Sequence, residues 1–239
     1  MNLRQVKNLR QIIAMGGGGF SMEPDNPLLD QYILQQVNNP KPKICFIPTA
    51  SGDADSYTEK FYNFFNRQEC IPSHLFLFKP LTRDLERFVL EQDIIYVGGG
   101  NTKNLLVLWK AWGLDEILKK AWNQGIVLAG LSAGSICWFE EGVTDSYGDQ
   151  LEPLQALGFL KGSHCPHYDG EAERRPAYRQ FIEQGVLQEG IAADDGAAVH
   201  YVGQHIKRIV SSRPAAKAYR VRKGGEEELA AEYLGERET

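Results

Sequence analysis

Cysteine is scarce in this 239-residue chain, and what there is stands apart: Cys45, Cys70, Cys137 and Cys165 form no C-x-x-C pair and fall mostly in apolar segments. That spacing excludes a disulfide framework and a zinc ribbon, and it fits a chain whose thiols stay reduced, as in the cytoplasm. Long hydrophobic runs are missing too. The stretch Ile12–Met15 follows Arg4, Lys7 and Arg10, but it is too short for the apolar part of a secretion signal and runs straight into glycine. No segment approaches the roughly 20 apolar residues of a membrane span. Charge of one sign is not in excess either. Lys and Arg number 26 against 31 Asp and Glu, and the net charge of -5 gives nucleic acid no electrostatic reason to bind. Repeats, linkers and low-complexity segments are absent, so one domain over residues 1–239 is expected, with 43% hydrophobic and 24% charged residues ordinary for a soluble globular chain.

What is present is a persistent alternation of strand and helix signals. QIIAM (11–15) reads as a first strand that ends in Gly16–Gly19, and Leu28, Leu29, Ile33, Leu34 and Val37 then outline a helix. The glycine turn does not match G-x-G-x-x-G and lacks the lysine of a P-loop, which makes it a packing or site-lining loop rather than a nucleotide cradle. Strands are expected at Lys43–Pro48, His74–Phe78 and Asp93–Val97, with helices over 57–67 and 82–91 and two more between residues 102 and 121. The aromatic stripe Tyr57, Phe61, Phe64 and Phe65 has helical spacing and reads as core. This order predicts an α/β fold: a three-layer, doubly wound, mostly parallel sheet whose ligand sites lie beyond the carboxyl ends of its strands. After residue 140 the pattern loosens. A helix over 172–187, closing strands at 206–210 and 218–221, and a charged tail from 223 onward, either surface or frayed, are what it supports.

Chemistry is concentrated at Gly125–Trp138, GIVLAGLSAGSICW. An apolar run suited to a central parallel strand meets Gly130-Leu131-Ser132-Ala133-Gly134, a G-x-S-x-G turn that projects Ser132 at the sheet edge and starts a helix at Ala133. The Ala133 amide, and an amide of the Gly98–Gly100 loop such as that of Gly99, suit an oxyanion hole. Asn101 or Thr102 following that loop suits a helix cap. A serine nucleophile needs a base and an acid to orient it. Of the five histidines, His74 reads as structural. His164, Cys165 and His167 share a loop but lack the further ligand of a zinc site, so no metal and no cofactor are expected. Spacing leaves two arrangements open: Ser132 with Asp149, Asp194 or Asp195 and then His200 or His205, as in an α/β-hydrolase esterase, or Ser132 with His167 and a later carboxylate. A ligand-binding module without turnover, using the two glycine loops, is the remaining alternative.

VGGGNT (97–102), GLSAGS (130–135) and PHY (166–168), in that order on an α/β chain, resemble the peptidase E family, serine peptidases of family S51 that include aspartyl dipeptidases and, more distantly, cyanophycinases. The likeness runs from the first strand to about residue 210. It implies a flavodoxin-like or class I glutamine amidotransferase-like sheet and a triad of Ser132, His167 and an acid before glycine, for which Asp195 before Gly196 is the match. Asp194 beside it, and Asp145 or Asp149 further off, remain the alternatives. The implied substrate is a short peptide, such as a dipeptide beginning with Asp. Arg174 or Arg175 in GEAERR is a cation for its carboxylate, with Asn101 as a second substrate contact. No nucleic acid or membrane partner is expected, and a homodimer is left open.

Overall fold

The computed structural model describes residues 9–148 and 150–236. Its first half follows the predicted alternation. Strand β1 (Gln11–Met15) passes through the glycine turn into α1 (Gly19–Met22) and α2 (Leu28–Leu34). Then come β2 (Lys43–Ile47) with α3 (Asp55–Phe65), and β3 (Ile71–His74) with α4 (Leu85–Leu90). β4 (Ile94–Val97) leads to α5 (Thr102–Trp112) and α6 (Leu114–Asn123), and β5 (Val127–Leu131) to the single turn α7 (Ala133–Ile136). The second half supplies β6 (Phe139–Thr144), β7 (Glu152–Gln155), β8 (Leu160–Cys165), α8 (Arg174–Glu183) and β9 (Gly190–Ala193). It closes with β10 (Ala197–Val202), β11 (His205–Ser211), β12 (Ala218–Arg222), β13 (Gly225–Leu229) and β14 (Glu232–Tyr233).

Two sheets result. The first runs β14-β11-β10-β1-β5-β4-β2-β3, parallel from β1 to β3, with β10 antiparallel to both β1 and β11. The second runs β13-β12-β9-β8-β6-β7, with a parallel centre β9-β8-β6. β1, β4 and β5 are buried along their whole length, as continuous apolar strands in the middle of a covered sheet should be. Alternation decides which neighbour each residue meets. Ile13, Met15, Val127 and Ala129 pack on the aromatic residues of α1 and α3, where Phe46 stacks on Phe61 at 4.9 Å between centroids. Ile12, Ala14, Val97 and Leu128 face a second core shared by α4–α7 and by Phe139, Leu154, Leu160 and Ile191 of the second sheet. The outer side of that sheet is covered by Tyr178 and Ile182 of α8. Helices thus cover both faces of the first sheet, and the three-layer α/β reading holds.

Two local expectations shift. The third strand lies at Ile71–His74, not His74–Phe78; it is the sheet edge, where Pro72 needs no ladder partner on its open side. The apolar alternation of Leu75 and Leu77 instead serves a loop whose Leu77 and Phe78 amides donate to the Asp53 carboxylate at 2.6 and 2.8 Å. The helix after Ser132 is one turn long and gives way at once to β6. Over its described part the tail is a surface element rather than frayed: β13 pairs with β12, and β14 with β11.

Candidate active site

Ser132 follows the buried strand β5 in a backbone conformation that side-chain-bearing residues avoid, φ 55° and ψ -120°. The sequence enforces this locally. A β-carbon on Gly130 would overlap the Gly134 carbonyl, and one on Gly134 would overlap the Val97 carbonyl, so only glycines let the turn close. Ser132 alone keeps surface access in a run of buried residues from Leu131 to Phe139. Register brings the other loops to the same edge: Met15 pairs with Leu131, and Val97 with Gly130, which sets the two glycine turns on either side of the serine.

His167 follows β8 and also has positive φ, 53°. Its Nδ1 lies 2.6 Å from Oδ1 of Asp195, and each residue is only 8% exposed. Asp195 stands where the chain leaves the second sheet at Ala193 and enters the first at Ala197. Burial alone would raise its carboxyl, but the His167 hydrogen bond and charge, with Arg213 and Arg174 behind them, hold it below the ordinary value of 3.8. Gly17 and Gly170 press on the pair. A β-carbon on Gly17 would come within 3.0 Å of His167 Cε1 and would overlap Asp195 Oδ1, and one on Gly170 would overlap Oδ2. The Gly196 amide donates to the Gly17 carbonyl at 3.0 Å and the Asp195 amide to Asp169 Oδ1 at 2.8 Å, fixing the loop from both sides. The first glycine turn is therefore a packing element of this site.

The other carboxylates stand elsewhere. Asp194 turns away to accept the Lys217 amide at 3.0 Å, and burial, with Asp169 nearby, raises its carboxyl to about 6. Asp145 lies 4.0 Å from Arg174, and Asp149 falls outside the described residues. The histidines of the esterase arrangement are misplaced for it. His200 pairs with Ile13 and is held by the Tyr32 hydroxyl at 2.7 Å and by Gln11 Oε1 at 3.1 Å; His205 pairs with Val202, opposite the start of β1. His200 is level with the middle of β1 and His205 with its first residue, roughly 10 and 16 Å along the strand from the serine edge at about 3.3 Å per residue. His74 bonds the Tyr62 hydroxyl at 2.7 Å, a structural contact. Among the described residues no group of three or more His, Cys, Asp or Glu is arranged to hold a metal. Burial pushes the Cys165 thiol up to about 12, which leaves it inert beside His167.

Gly99 lies beside Ser132: a β-carbon there would sit 3.6 Å from Ser132 Oγ. Its amide, however, donates to the Tyr57 hydroxyl at 3.2 Å. Asn101 uses both ends of its amide, capping α5 by accepting from the Asn104 amide at 2.8 Å and donating to the Ser146 carbonyl at 3.0 Å, as expected of a helix cap. Arg174 is buried, 3% exposed, rather than lining an open face. It donates to Glu171 at 2.6 Å and to the Val143 carbonyl at 3.0 Å, because α8 packs its first turn against β6. Arg175 lies over Tyr168 and Tyr219 and pairs with Glu226. Sequence reasoning missed Asp169, Tyr57 and the Arg213–Glu23 pair at 2.5 Å that flanks Gly196. Of these, only Asp169, two residues after His167, carried a signal in proximity.

The fold and these groups together define an α/β peptidase. The chain belongs to peptidase family S51, whose family model matches residues 12–209. It is 61% identical over 231 residues to the uncharacterized peptidase YgaJ of Bacillus subtilis (strain 168), covering 95% of this chain and all of that one. Among solved structures, a peptidase from an acI-B1 Actinobacterium superposes with a TM-score of 0.70 at 18% identity over 94% of this chain and 96% of that one. A putative peptidase E protein from Listeria monocytogenes EGD-e gives 0.62 at 18% identity over 86% and 98%. At that identity the two structures speak for the fold alone. Among the described residues no helix is long and apolar enough to cross a membrane.

Proposed function

We propose that the protein is a serine peptidase of short peptides, dipeptides beginning with Asp or a similar residue, working through Ser132, His167 and Asp195. The observation that carries this reading is the 2.6 Å pair of His167 and Asp195 packed against Gly17 beyond β1, beside the β5 end where the strained, accessible Ser132 turns. With Asp195 on Nδ1, the imidazole presents Nε2 as a base toward its open side. His167 takes the Ser132 proton as the hydroxyl attacks the scissile carbonyl, then returns it to the leaving amine; water releases the acyl-enzyme by the same exchange. The Ala133 amide, with that of Gly99 once it leaves the Tyr57 hydroxyl, receives the oxyanion. For a substrate carboxylate, Arg174 is the buried cation whose field reaches Asp195, and its 4.0 Å approach to the exposed Asp145 is the contact most easily exchanged.

A panel of dipeptides varied at the first residue, run on wild type, Ser132→Ala and Arg174→Lys, tests the proposal. Cleavage of Asp-X by wild type, none by Ser132→Ala, and a raised KM for Asp-X in Arg174→Lys are expected. Turnover that survives in Ser132→Ala would refute the nucleophile; unchanged preference in Arg174→Lys would refute the cation.

A further inference from the structure

His164 has no part in the chemistry proposed above, yet it is the most thoroughly enclosed imidazole near it, with no exposed surface. Its ring stacks on Phe139 of β6, centroids 4.5 Å apart and planes within 6°. Nδ1 lies 2.8 Å from the Ile191 carbonyl, and a carbonyl accepts only, so Nδ1 carries the hydrogen. Nε2 is then an acceptor, 3.1 Å from the hydroxyl of Ser135, which is also fully buried. Ser135 Oγ lies 2.8 Å from the Ser132 carbonyl as well. One hydroxyl hydrogen serves one acceptor at a time. The Ser132 carbonyl already receives the Ser135 and Ile136 amides at 2.9 and 3.0 Å, and the hydroxyl hydrogen alternates between that carbonyl and the imidazole.

These bonds join three segments that sequence keeps far apart. Ser135 is in the one-turn helix that holds Ser132 in its strained conformation. His164 is on β8, three residues before His167, and Ile191 is on β9, four residues before Asp195. Resting on the triad reading above, we infer that His164, acting with Ser135, is a positioning residue that sets the nucleophile turn against the strands carrying the base and the acid. A turn of four residues with unfavourable dihedrals at its entrance does not keep its place unaided; it has to be held from the side. The Ser135–His164–Ile191 chain does that across the gap between the two sheets, among residues buried from solvent.

The test uses His164→Phe, which keeps the ring and its stacking but removes both bonds, with Ser135→Ala as the smaller change should the first fold poorly. Rates are taken per folded molecule, for Asp-X hydrolysis and for labelling of Ser132 by a phosphonate probe. We expect kcat and the labelling rate to fall about tenfold to a hundredfold in each variant, the range of a misplacement near 1 Å, with KM nearly unchanged. The double variant should be no worse than the poorer single one, and His164→Gln, whose amide oxygen still accepts from Ser135, should recover much of the loss. A folded His164→Phe with wild-type kcat, or losses that multiply in the double variant, would overturn the inference. Wild type that neither turns over nor labels at Ser132 would instead overturn the triad reading, and this inference with it.

Discussion

The Gly99 amide, next to Ser132, gives its hydrogen to the Tyr57 hydroxyl at 3.2 Å, so in the proposed oxyanion hole this donor is engaged before any substrate arrives. An oxyanion must outcompete that hydroxyl. Tyr57→Phe removes the competitor at little cost in volume, and a boronate that mimics the tetrahedral adduct should bind it more tightly than wild type, by up to about tenfold, the worth of one net hydrogen bond. Weaker boronate binding in a folded variant would mean that the hydroxyl itself serves the adduct.

Strain at Ser132 makes a second prediction. A residue with φ 55° and ψ -120° costs on the order of 1–3 kcal/mol that glycine would not. Ser132→Gly should therefore abolish hydrolysis and yet raise the melting temperature by roughly 2–12 °C for a chain of this size. A lower melting temperature in calorimetry would show that the turn is not strained.

Two adjacent aspartates allow a third. Asp195→Asn leaves the shape of the loop but favours the wrong imidazole tautomer, and kcat should fall about 10³- to 10⁴-fold. Asp194→Asn, whose carboxyl faces the Lys217 amide, should leave kcat within about threefold, as a group outside the reacting set does. Equal losses in both would dissolve the distinction.

The fourth concerns Asp30, whose carboxyl is wholly buried under the first glycine turn, neither oxygen meeting a partner at full hydrogen-bond geometry. Burial drives it from 3.8 up to about 7, against weaker opposing help from Tyr96 and the Phe20 amide. The folded chain thus holds this proton more tightly than the unfolded one. Its stabilising contribution is complete below pH 3.8 and is lost as pH rises toward 7, after which it changes no further. Asp30→Asn cannot lose a proton, so its stability relative to wild type should climb through that window by roughly 4 kcal/mol, about 3 of it above pH 5. Urea titrations at pH 5 and pH 7.5 check the slope; parallel curves would place the carboxylate in contact with water.

How much of this was legible in sequence follows from what each segment has to do. β1, β4 and β5 are buried on both faces and must be continuously apolar, so they stand out, and the glycines around Ser132 stand out because nothing else fits there. The second sheet does not. β6 carries Glu140 and Glu141, the latter buried and held by Gln155 and the Gln188 amide, and a strand that hides a charge in side-chain hydrogen bonds shows no alternation to read. His200 and His167 are equally eligible by spacing; strand register sets the one beside the middle of β1, and the turn after β8 brings the other against Gly17 at the serine edge. Arg174 reads as an exposed helix start among glutamates, and tertiary packing on Val143 buries it. The neighbouring aspartates differ only in the direction of their side chains, which no pattern of letters encodes.

Ser132 follows a strand of the first sheet, whereas His167 and Asp195 each follow a strand of the second. A growing chain that has folded its first 140 residues therefore holds a harmless alcohol. On the proposed triad, peptide cleavage begins only when the two halves have come together, so the appearance of activity during renaturation would serve as a clock for that final assembly.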